Sequence, residues 1–304
     1  MANSGELLRF DGIVVVVTGG GGALGRAYAT EFARRGASVV VSDIGAAVSG
    51  SGSNRRIADE VAEGLVAKGW KAVSDHHNVV TEGEKIIETA LREFGGVHVV
   101  VNNAGNLRDL TFRNMKQDDF EAVHKVHLLG SFSVTRAAWR HFEKQKYGRI
   151  LMTTSAAGLY GAYGQTNYAS AKLGLVGLAA SLAREGAKHN ITVNSIAPLA
   201  GSRMLARVVG KDEADALKPE YVAAMAVYLC HASCLETGGV FELGGGWFAK
   251  LRWERTKGAF IPPAEVSAER VAKEWATVGD FANATHPTSG ADAVGPISKN
   301  LSRL

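Results

Sequence analysis

The sequence predicts a doubly wound α/β fold, in which helices cover both faces of one parallel sheet, and three observations support it. Strand and helix patterns alternate along the chain, the first strand is an unbroken apolar run at residues 13–17, and a glycine-rich turn follows it directly. Alternation of this kind is typical of a parallel sheet, and an unbroken apolar run is typical of a strand buried on both faces. We therefore expect a single sheet of the Rossmann type with strand order 3-2-1-4-5-6-7.

The elements of this fold can be placed along the chain from their periodicity. The predicted strands after the first are residues 38–42, 71–73, 97–101, 149–154, 191–196 and 240–243. A helix is expected to run from the glycine turn to Phe32, and further helices are predicted at residues 56–67, 82–94, 118–144, 166–188 and 220–231. Residues 45–54 form a loop rich in Gly, Ser and Ala that is longer than most strand–helix connections.

The pattern changes after Gly246. A segment of mixed aromatic and charged residues, a Pro262-Pro263 break, a helix near residues 266–278 and a polar tail follow one another there. We therefore expect residues 1–246 to form the main domain and residues 247–304 to form an extension packed on it, rather than a second domain.

Composition is that of a soluble globular protein, with 46% hydrophobic and 21% charged residues. The longest apolar run is too short to cross a bilayer and no secretory signal is evident at the N-terminus, so neither a membrane span nor secretion is expected. The net charge is +4 without any run of Lys and Arg, which argues against nucleic acid as a partner and leaves room for a weak attraction of anionic substrates. The two cysteines fit a reducing compartment.

The glycine turn, residues 18–25 (Thr-Gly-Gly-Gly-Gly-Ala-Leu-Gly), lies between the first strand and the first helix. Glycines allow the backbone to turn tightly and approach a pyrophosphate, and the helix N-terminus offers N–H donors and the positive end of its dipole. A flexible loop is the alternative for such a stretch alone, but its place after the first strand favours a dinucleotide site. The main domain is therefore expected to bind a dinucleotide.

Asp43 ends the second predicted strand, eighteen residues beyond Gly25, which is close to the spacing expected of the acid that binds the adenosine ribose. A carboxylate there accepts hydrogen bonds from the ribose hydroxyls and repels a 2′-phosphate. No Arg or Lys immediately follows Asp43 or lies within the glycine turn, so NAD is expected in preference to NADP. The alternative is an Asp that only caps a turn.

Tyr168 and Lys172 are four residues apart in a predicted helix, so both side chains can point into one cleft. A free Tyr, with a pKa of about 10, is a poor base near neutrality, and a nearby ammonium is expected to lower that pKa. Thirteen residues upstream, Ser155 ends a predicted strand at the edge where open α/β sheets bind ligands. These three residues are the candidates for acid–base chemistry on a substrate oxygen.

The ordered set of glycine turn, Asn102-Asn103-Ala104-Gly105, Ser155, Tyr168 and Lys172 resembles the short-chain dehydrogenase/reductase family. Within that family the chain more closely resembles the (3R)-hydroxyacyl-CoA dehydrogenase unit of peroxisomal multifunctional enzymes of type 2, a group also classed with hydroxysteroid dehydrogenases. The resemblance covers nearly the whole chain and is most specific at residues 126–128, 145–149, 200–204, 218–221 and 250–255.

The resemblance implies a set of site residues. Besides Tyr168 and Lys172, the implied cofactor-binding residues are Gly19, Ala23, Leu24, Gly25, Asp43, Asn78, Asn103, Ala104, Gly105 and Pro198. Ala23 stands where the family usually has Gly, and Asn78 is a weaker match to the acid that contacts adenine. His127, the fourth catalytic candidate, stands where the family often has an Asn that anchors a proton relay, and a purely structural histidine is the alternative.

The resemblance further implies NAD-dependent oxidation of (3R)-3-hydroxyacyl-CoA to 3-ketoacyl-CoA in peroxisomal fatty-acid β-oxidation. The alternatives are a hydroxysteroid dehydrogenase or another ketone/alcohol oxidoreductase on the same scaffold, or a non-catalytic nucleotide-binding protein. A homodimer or a dimer of dimers is expected through the helices at residues 118–144 and 166–188.

Two further expectations concern metals and location. No metal site is expected, because Cys230, His231 and Cys234 lack a fourth ligand for zinc. Ser302-Arg303-Leu304 is close to the Ser-Lys-Leu peroxisomal signal, so we expect the peroxisomal import receptor as a partner and a peroxisome or related organelle as the location.

Overall fold

The computed structural model describes residues 7–201 and 216–301, and its centre is an eight-stranded sheet with strand order β3-β2-β1-β4-β5-β6-β7-β8. The strands are β1 (Val14–Thr18), β2 (Ser38–Ser42), β3 (Lys71–Asp75), β4 (Val99–Asn102), β5 (Gly148–Thr153), β6 (Ile191–Leu199), β7 (Val240–Gly244) and β8 (Trp247–Leu251). All neighbouring strands among the first seven, β1 to β7, pair in parallel. The predicted order 3-2-1-4-5-6-7 is thus confirmed, with one strand added beside β7.

The helices of this region lie between the strands, as the sequence predicts. They are α1 (Ala23–Arg34), α2 (Arg56–Val66), α3 (Gly83–Phe94), α4 (Gln117–His124), α5 (Ser131–Gln145), α6 (Ala156–Tyr160), α7 (Thr166–Gly186) and α8 (Pro219–Cys230). Among the described residues, no helix is both long enough and apolar enough to span a membrane.

The sheet is buried on both faces because successive β1 residues point to opposite sides. Val15 and Val17 pack into the cluster that contains the buried residues of α1, α2 and α8. Val14 and Val16 pack into the cluster on the other face, which contains those of α3, α5 and α7. Two apolar layers therefore hold the sheet rigid, so the residues that follow its strands start from fixed positions.

The helix predicted at residues 118–144 is interrupted. Lys125–Gly130 form a π-helical segment between α4 and α5. Each π turn accommodates an extra residue, and such segments occur often at functional sites. The segment carries His127, which is only 3% exposed.

β8 was not expected from the sequence, which indicated only a segment of mixed aromatic and charged residues there. Gly245 and Gly246 adopt positive φ values of 58° and 86° and connect β7 directly to β8. Two residues with positive φ form the tight turns that join hairpin strands, and Gly adopts them at low cost. The sheet therefore continues past Gly246.

The described residues divide into two compact units, one within residues 1–250 and the other within residues 251–304. In the second unit the predicted helix at 266–278 is split into α9 (Ala268–Lys273) and α10 (Trp275–Val278), and residues expected in a polar tail form α11 (Ala291–Leu301). Within this unit Arg255 pairs with Thr285 in an isolated antiparallel bridge. The predicted packing of residues 247–304 on the main domain stays a prediction.

Candidate active site

The glycine turn between β1 and α1 is shaped by contacts that leave no room for side chains. Gly19 has a φ of 64°, and a Cβ there would lie 2.8 Å from the Ala104 Cα. A Cβ on Gly25 would collide with the carbonyl oxygen of Gly19, so α1 packs directly against the turn. Ala23 and Leu24 open α1, whose first turn has neither a side-chain cap nor an acidic residue. Its leading amides are therefore suited to an anionic ligand.

The end of β4 braces the glycine turn. The Asn103 side chain donates from Nδ2 to the carbonyl oxygens of Thr18 and Gly19, at 3.1 Å each. The backbone amides of Asn103 and Ala104 donate to the Thr18 hydroxyl at 3.1 and 3.2 Å. The predicted cofactor residues after β1 and β4 thus form one hydrogen-bonded unit.

Asp43 follows β2 and faces the same turn. Its Oδ2 accepts from the Gly21 amide at 2.9 Å, and its Oδ1 accepts from the Gly45 amide at 2.7 Å. Each carboxylate oxygen retains further acceptor capacity, because an ionised carboxylate has about four lone-pair sites. The side chain is therefore oriented by the protein and able to accept from a ligand as well.

Asn78 and Pro198 lie at the carboxyl ends of two other strands, β3 and β6. The Asn78 Oδ1 accepts from the Val80 amide at 2.8 Å, and its own amide donates to the Glu82 carboxylate at 3.1 Å. Pro198 is half-buried opposite Leu243 of β7. Both predicted residues thus stand at the sheet edge where α/β folds bind ligands.

Ser155, Tyr168 and Lys172 meet at the carboxyl end of β5. Ser155 caps α6 by accepting from the Ala157 amide at 3.2 Å. Tyr168 and Lys172 are one turn apart near the start of α7, and the Lys172 Nζ lies 5.5 Å from the centre of the Tyr168 ring. Lys172 is 3% exposed and donates from Nζ to the Thr153 carbonyl oxygen at 2.5 Å. The three candidates selected from the sequence are therefore brought together.

Burial shifts the pKa values of Tyr168 and Lys172. Desolvation raises the pKa of Tyr168 above its usual value, a hydrogen bond with Ser155 lowers it in part, and the charge of Asp109 raises it further. Desolvation lowers the pKa of Lys172 to about 7. The expectation that a Lys172 ammonium would bring the Tyr168 pKa below its usual value is wrong, because burial disfavours the charged form of both groups.

His127 packs edge-on against Tyr168, with 5.2 Å between ring centres and an 89° angle between their planes. Its Nε2 lies 2.8 Å from the backbone oxygen and 3.1 Å from the backbone nitrogen of Asn106. Burial holds the pKa of His127 well below its usual value, and the positive charge of Lys172 lowers it further. A Cβ on Gly105 would overlap the imidazole, so Gly105 leaves the space that His127 occupies.

Asn167 was missed by the sequence reasoning, although it is fully buried beside Tyr168. Its Oδ1 accepts from the Tyr168 amide at 2.8 Å, and its Nδ2 donates to the Arg108 carbonyl oxygen at 3.0 Å. This side chain thus ties the start of α7 to the segment after β4. An Asn near a predicted helix N-terminus was the available signal, because Asn is favoured there.

The long loop at residues 45–54 reaches the same segment from the other side. The Val48 carbonyl oxygen accepts from the Leu107 amide at 2.8 Å, and the Ser49 carbonyl oxygen accepts from the Arg108 Nε at 3.2 Å. Because β1 lies between β2 and β4, the loop connects the two sides of the glycine turn.

Cys230 and Cys234 are buried free thiols, and burial raises the pKa of Cys230 to about 12. In the described ranges 7–201 and 216–301, His, Cys, Asp and Glu form no cluster of three or more suited to a metal ion.

Comparison with known proteins places these residues in context. Residues 13–212 match the family model described as short chain dehydrogenase. The chain is 52% identical to the peroxisomal multifunctional enzyme type 2 of Mus musculus, over 98% of this chain and 40% of that protein. It is 48% identical to the peroxisomal hydratase-dehydrogenase-epimerase of Neurospora crassa, over 97% of this chain and 33% of that protein.

A solved structure of a relative is also similar to nearly the whole chain. The full-length peroxisomal multifunctional enzyme type 2 of Drosophila melanogaster superposes with a TM-score of 0.83 and 40% identity, over 98% of this chain and 51% of that chain. This chain therefore spans from one third to one half of the length of these three relatives.

Proposed function

The chain belongs to the short-chain dehydrogenase family, and we propose that it oxidises (3R)-3-hydroxyacyl-CoA to 3-ketoacyl-CoA in fatty-acid β-oxidation, with NAD as the cofactor. The observation that carries the proposal is the convergence of Ser155, Tyr168 and Lys172 at the same edge of the sheet as the glycine turn. The relatives named as multifunctional or hydratase-dehydrogenase-epimerase enzymes, similar over nearly the whole chain, support the choice of substrate class.

NAD, when bound, supplies the hydride acceptor. The close contacts at Gly19 and Gly25 form a cradle that fits a pyrophosphate, and the first amides of α1 face an anion with no competing side-chain cap. Asp43 accepts hydrogen bonds from the adenosine ribose and repels a 2′-phosphate, which favours NAD over NADP. Asn103, Ala104 and Gly105 would hold the nicotinamide side of the cofactor.

Tyr168, as the phenolate, takes the proton from the 3-hydroxyl group of the substrate, and its phenol returns that proton in the reverse direction. Ser155 donates a hydrogen bond that orients the same substrate oxygen, and Lys172 binds the nicotinamide ribose. Because burial raises the pKa of Tyr168, the phenol is the favoured form near neutrality. Oxidation is therefore promoted by alkaline pH and reduction by neutral pH.

His127 acts by position rather than as a proton carrier. Its Nε2 is engaged by the backbone of Asn106, and burial keeps the imidazole neutral. The His127 ring packs against the Tyr168 ring and so helps to fix the position of Tyr168. Replacement by Asn or Leu is expected to disturb Tyr168 without adding or removing a titrating group near neutrality.

One assay tests the proposed activity. NAD reduction is followed with (3R)- and (3S)-3-hydroxyacyl-CoA, and the (3R) reaction is repeated with NADP. We expect turnover of the (3R) isomer with NAD only. Preference for NADP would overturn the role of Asp43, whereas turnover of a hydroxysteroid but of neither CoA ester would overturn the substrate class.

A homodimer or a dimer of dimers is the proposed assembly. The outer face of α5 and α7 carries Phe132 and Leu173, which are 45% and 41% exposed, and Trp139 and Leu178 line a groove between these helices. Apolar surface of this kind is typical of protein interfaces. Light scattering that reports a monomer at micromolar concentration would contradict the assembly.

A peroxisomal location is proposed from the relatives, which are named as peroxisomal enzymes. Ser302-Arg303-Leu304, the expected contact for the import receptor, lies outside the described residues. Deletion of these three residues is expected to leave the enzyme active but cytosolic, and an unchanged distribution in fluorescence microscopy would refute the signal.

A further inference from the structure

The segments that follow β4 and β5 run side by side next to the catalytic helix. The Leu110 amide donates to the Gly164 carbonyl oxygen at 2.9 Å, and the Gln165 side chain donates to the Asp109 carboxylate at 2.7 Å. Asn167, the neighbour of Tyr168, donates from Nδ2 to the Arg108 carbonyl oxygen at 3.0 Å. These two segments therefore form a wall of the catalytic cleft.

Two aromatic side chains on this wall are directed at solvent. Phe112 opens the short 3-10 helix Phe112–Asn114 and is 78% exposed, and Tyr163 is 93% exposed. Large aromatic residues normally bury most of their surface in a core or an interface. Two exposed rings on adjoining segments at a cleft are suited to stacking against a planar ligand.

Residues 112–116, which contain the 3-10 helix, also carry two positively charged side chains. Arg113 and Lys116 are exposed, and neither side chain forms an ion pair or hydrogen bond with the residues the structure describes. The neighbouring Arg108 differs, because its guanidinium pairs with Asp119 at 3.2 Å. Residues 112–116 contain no acidic residue. The turn itself therefore carries two positive charges, and Asp118 and Asp119 follow it in the first turn of α4.

We propose that this CoA patch, defined as Phe112, Arg113, Lys116 and Tyr163, binds the nucleotide end of the CoA thioester. That end carries a purine ring and phosphate groups, which match the exposed rings and the unpaired cations respectively. The pantetheine arm then leads from the patch along the wall to Tyr168. This inference rests on the proposed function and adds to it the residues that distinguish a CoA ester from a shorter thioester.

The test compares two substrates that differ only in the nucleotide. The parent, Phe112→Ala and the double variant Arg113→Gln/Lys116→Gln are assayed with a 3-hydroxyacyl-CoA and with the corresponding pantetheine thioester. Loss of a stacking ring or of the cations is expected to raise KM for the CoA ester about fivefold to hundredfold, with kcat preserved. KM for the pantetheine ester should stay unchanged. Equal effects on both esters, or no effect on either, would overturn the patch.

A matched control removes the same charge elsewhere. Lys71→Gln/Lys188→Gln replaces two exposed cations on β3 and after α7, and it should leave both KM values unchanged. A rise in KM for the CoA ester in this control would show a general charge effect and count against the patch.

A binding measurement separates the patch from the proposed function. Adenosine 3′,5′-bisphosphate is titrated calorimetrically into the full chain saturated with NAD, so that the cofactor site is occupied. Binding that is lost in Arg113→Gln/Lys116→Gln supports the patch even if the parent oxidises no CoA ester, in which case the proposed activity alone fails. Oxidation of CoA esters by a parent that does not bind the bisphosphate overturns the patch and leaves the activity standing.

Discussion

The cofactor half and the catalytic half of the candidate site are built from different kinds of groups. Around the glycine turn, shape and backbone amides dominate, and polar side chains such as Asp43 and Asn103 are already hydrogen-bonded to the backbone. Around Tyr168 and Lys172, the important groups are buried ionisable side chains whose pKa values burial has shifted. Mutations should therefore act through fit in the first half and through proton equilibria in the second.

The largest effect is expected in the catalytic half. Tyr168→Phe removes only the hydroxyl that we propose exchanges the proton, and kcat should fall about a hundredfold to ten-thousandfold while the fold is kept. Tyr228→Phe, which alters a half-exposed Tyr on α8, is the matched control and should retain parent turnover. A kcat in Tyr168→Phe close to that of the parent would show that Tyr168 is not the proton-exchanging group. The catalytic half would then not depend on the proton equilibrium of this residue.

A steric change tests the cofactor half. Gly25→Ala places a Cβ against the Gly19 carbonyl oxygen, so NAD affinity should fall by about tenfold or more and stability by about 1–3 kcal/mol. Gly64→Ala in α2 is the control, because nothing lies within 4 Å of its Cβ position. That variant should be more stable by about 0.5–1 kcal/mol, through lower entropy of the unfolded chain. Calorimetry and urea unfolding measure both, and unchanged NAD binding in Gly25→Ala would contradict the cradle.

The shifted pKa of Lys172 should be visible in stability. The unfolded chain holds this proton up to pH 10.5, whereas the folded chain releases it above about pH 7, so stability should increase with pH between these values. From pH 7 to pH 9 the gain from this group is roughly 1–3 kcal/mol. Lys172→Met should remove that gain in urea unfolding at the two pH values. An identical pH dependence in the variant would mean that Lys172 stays protonated in the folded chain.

The smallest effect is expected at Asp43. Asp43→Ser removes the charge that repels a 2′-phosphate, so the ratio of kcat/KM for NADP to that for NAD should rise about tenfold, or roughly 1.4 kcal/mol. Asp43→Asn separates charge from hydrogen bonding, because it keeps one acceptor oxygen for the Gly21 or Gly45 amide. A parent that already prefers NADP would show that the interpretation of Asp43 is wrong.

The sequence was informative wherever local pattern determines structure. Apolar runs such as residues 39–41 placed the strands, and the glycine turn placed a ligand site at the end of β1. The spacing of Tyr168 and Lys172 placed both on one helix face. Spacing carries no information on burial, however, and burial reverses the expected direction of the Tyr168 pKa.

What was missed depends on contacts between distant residues. The π-helical segment Lys125–Gly130 has only six residues. Over so short a stretch its apolar periodicity cannot be distinguished from that of an α-helix, so the sequence did not indicate the interruption. Asn167 acquires its role only when α7 meets the segment after β4. β8 was overlooked because its alternation is weak and its place in the sheet depends on β7.

β8 also has a consequence for association between molecules. It occupies the side of β7 that β6 leaves open, and unpaired strand edges recruit strands from other chains. A chain cut at Gly246, the domain boundary expected from the sequence, loses β8 and uncovers the N–H and C=O groups along β7. A chain that ends at Leu251 keeps them covered. β8 is then the edge of the sheet, and its Lys250 is the kind of charged side chain that discourages edge-to-edge pairing. The shorter protein should therefore aggregate more readily on concentration than the longer one.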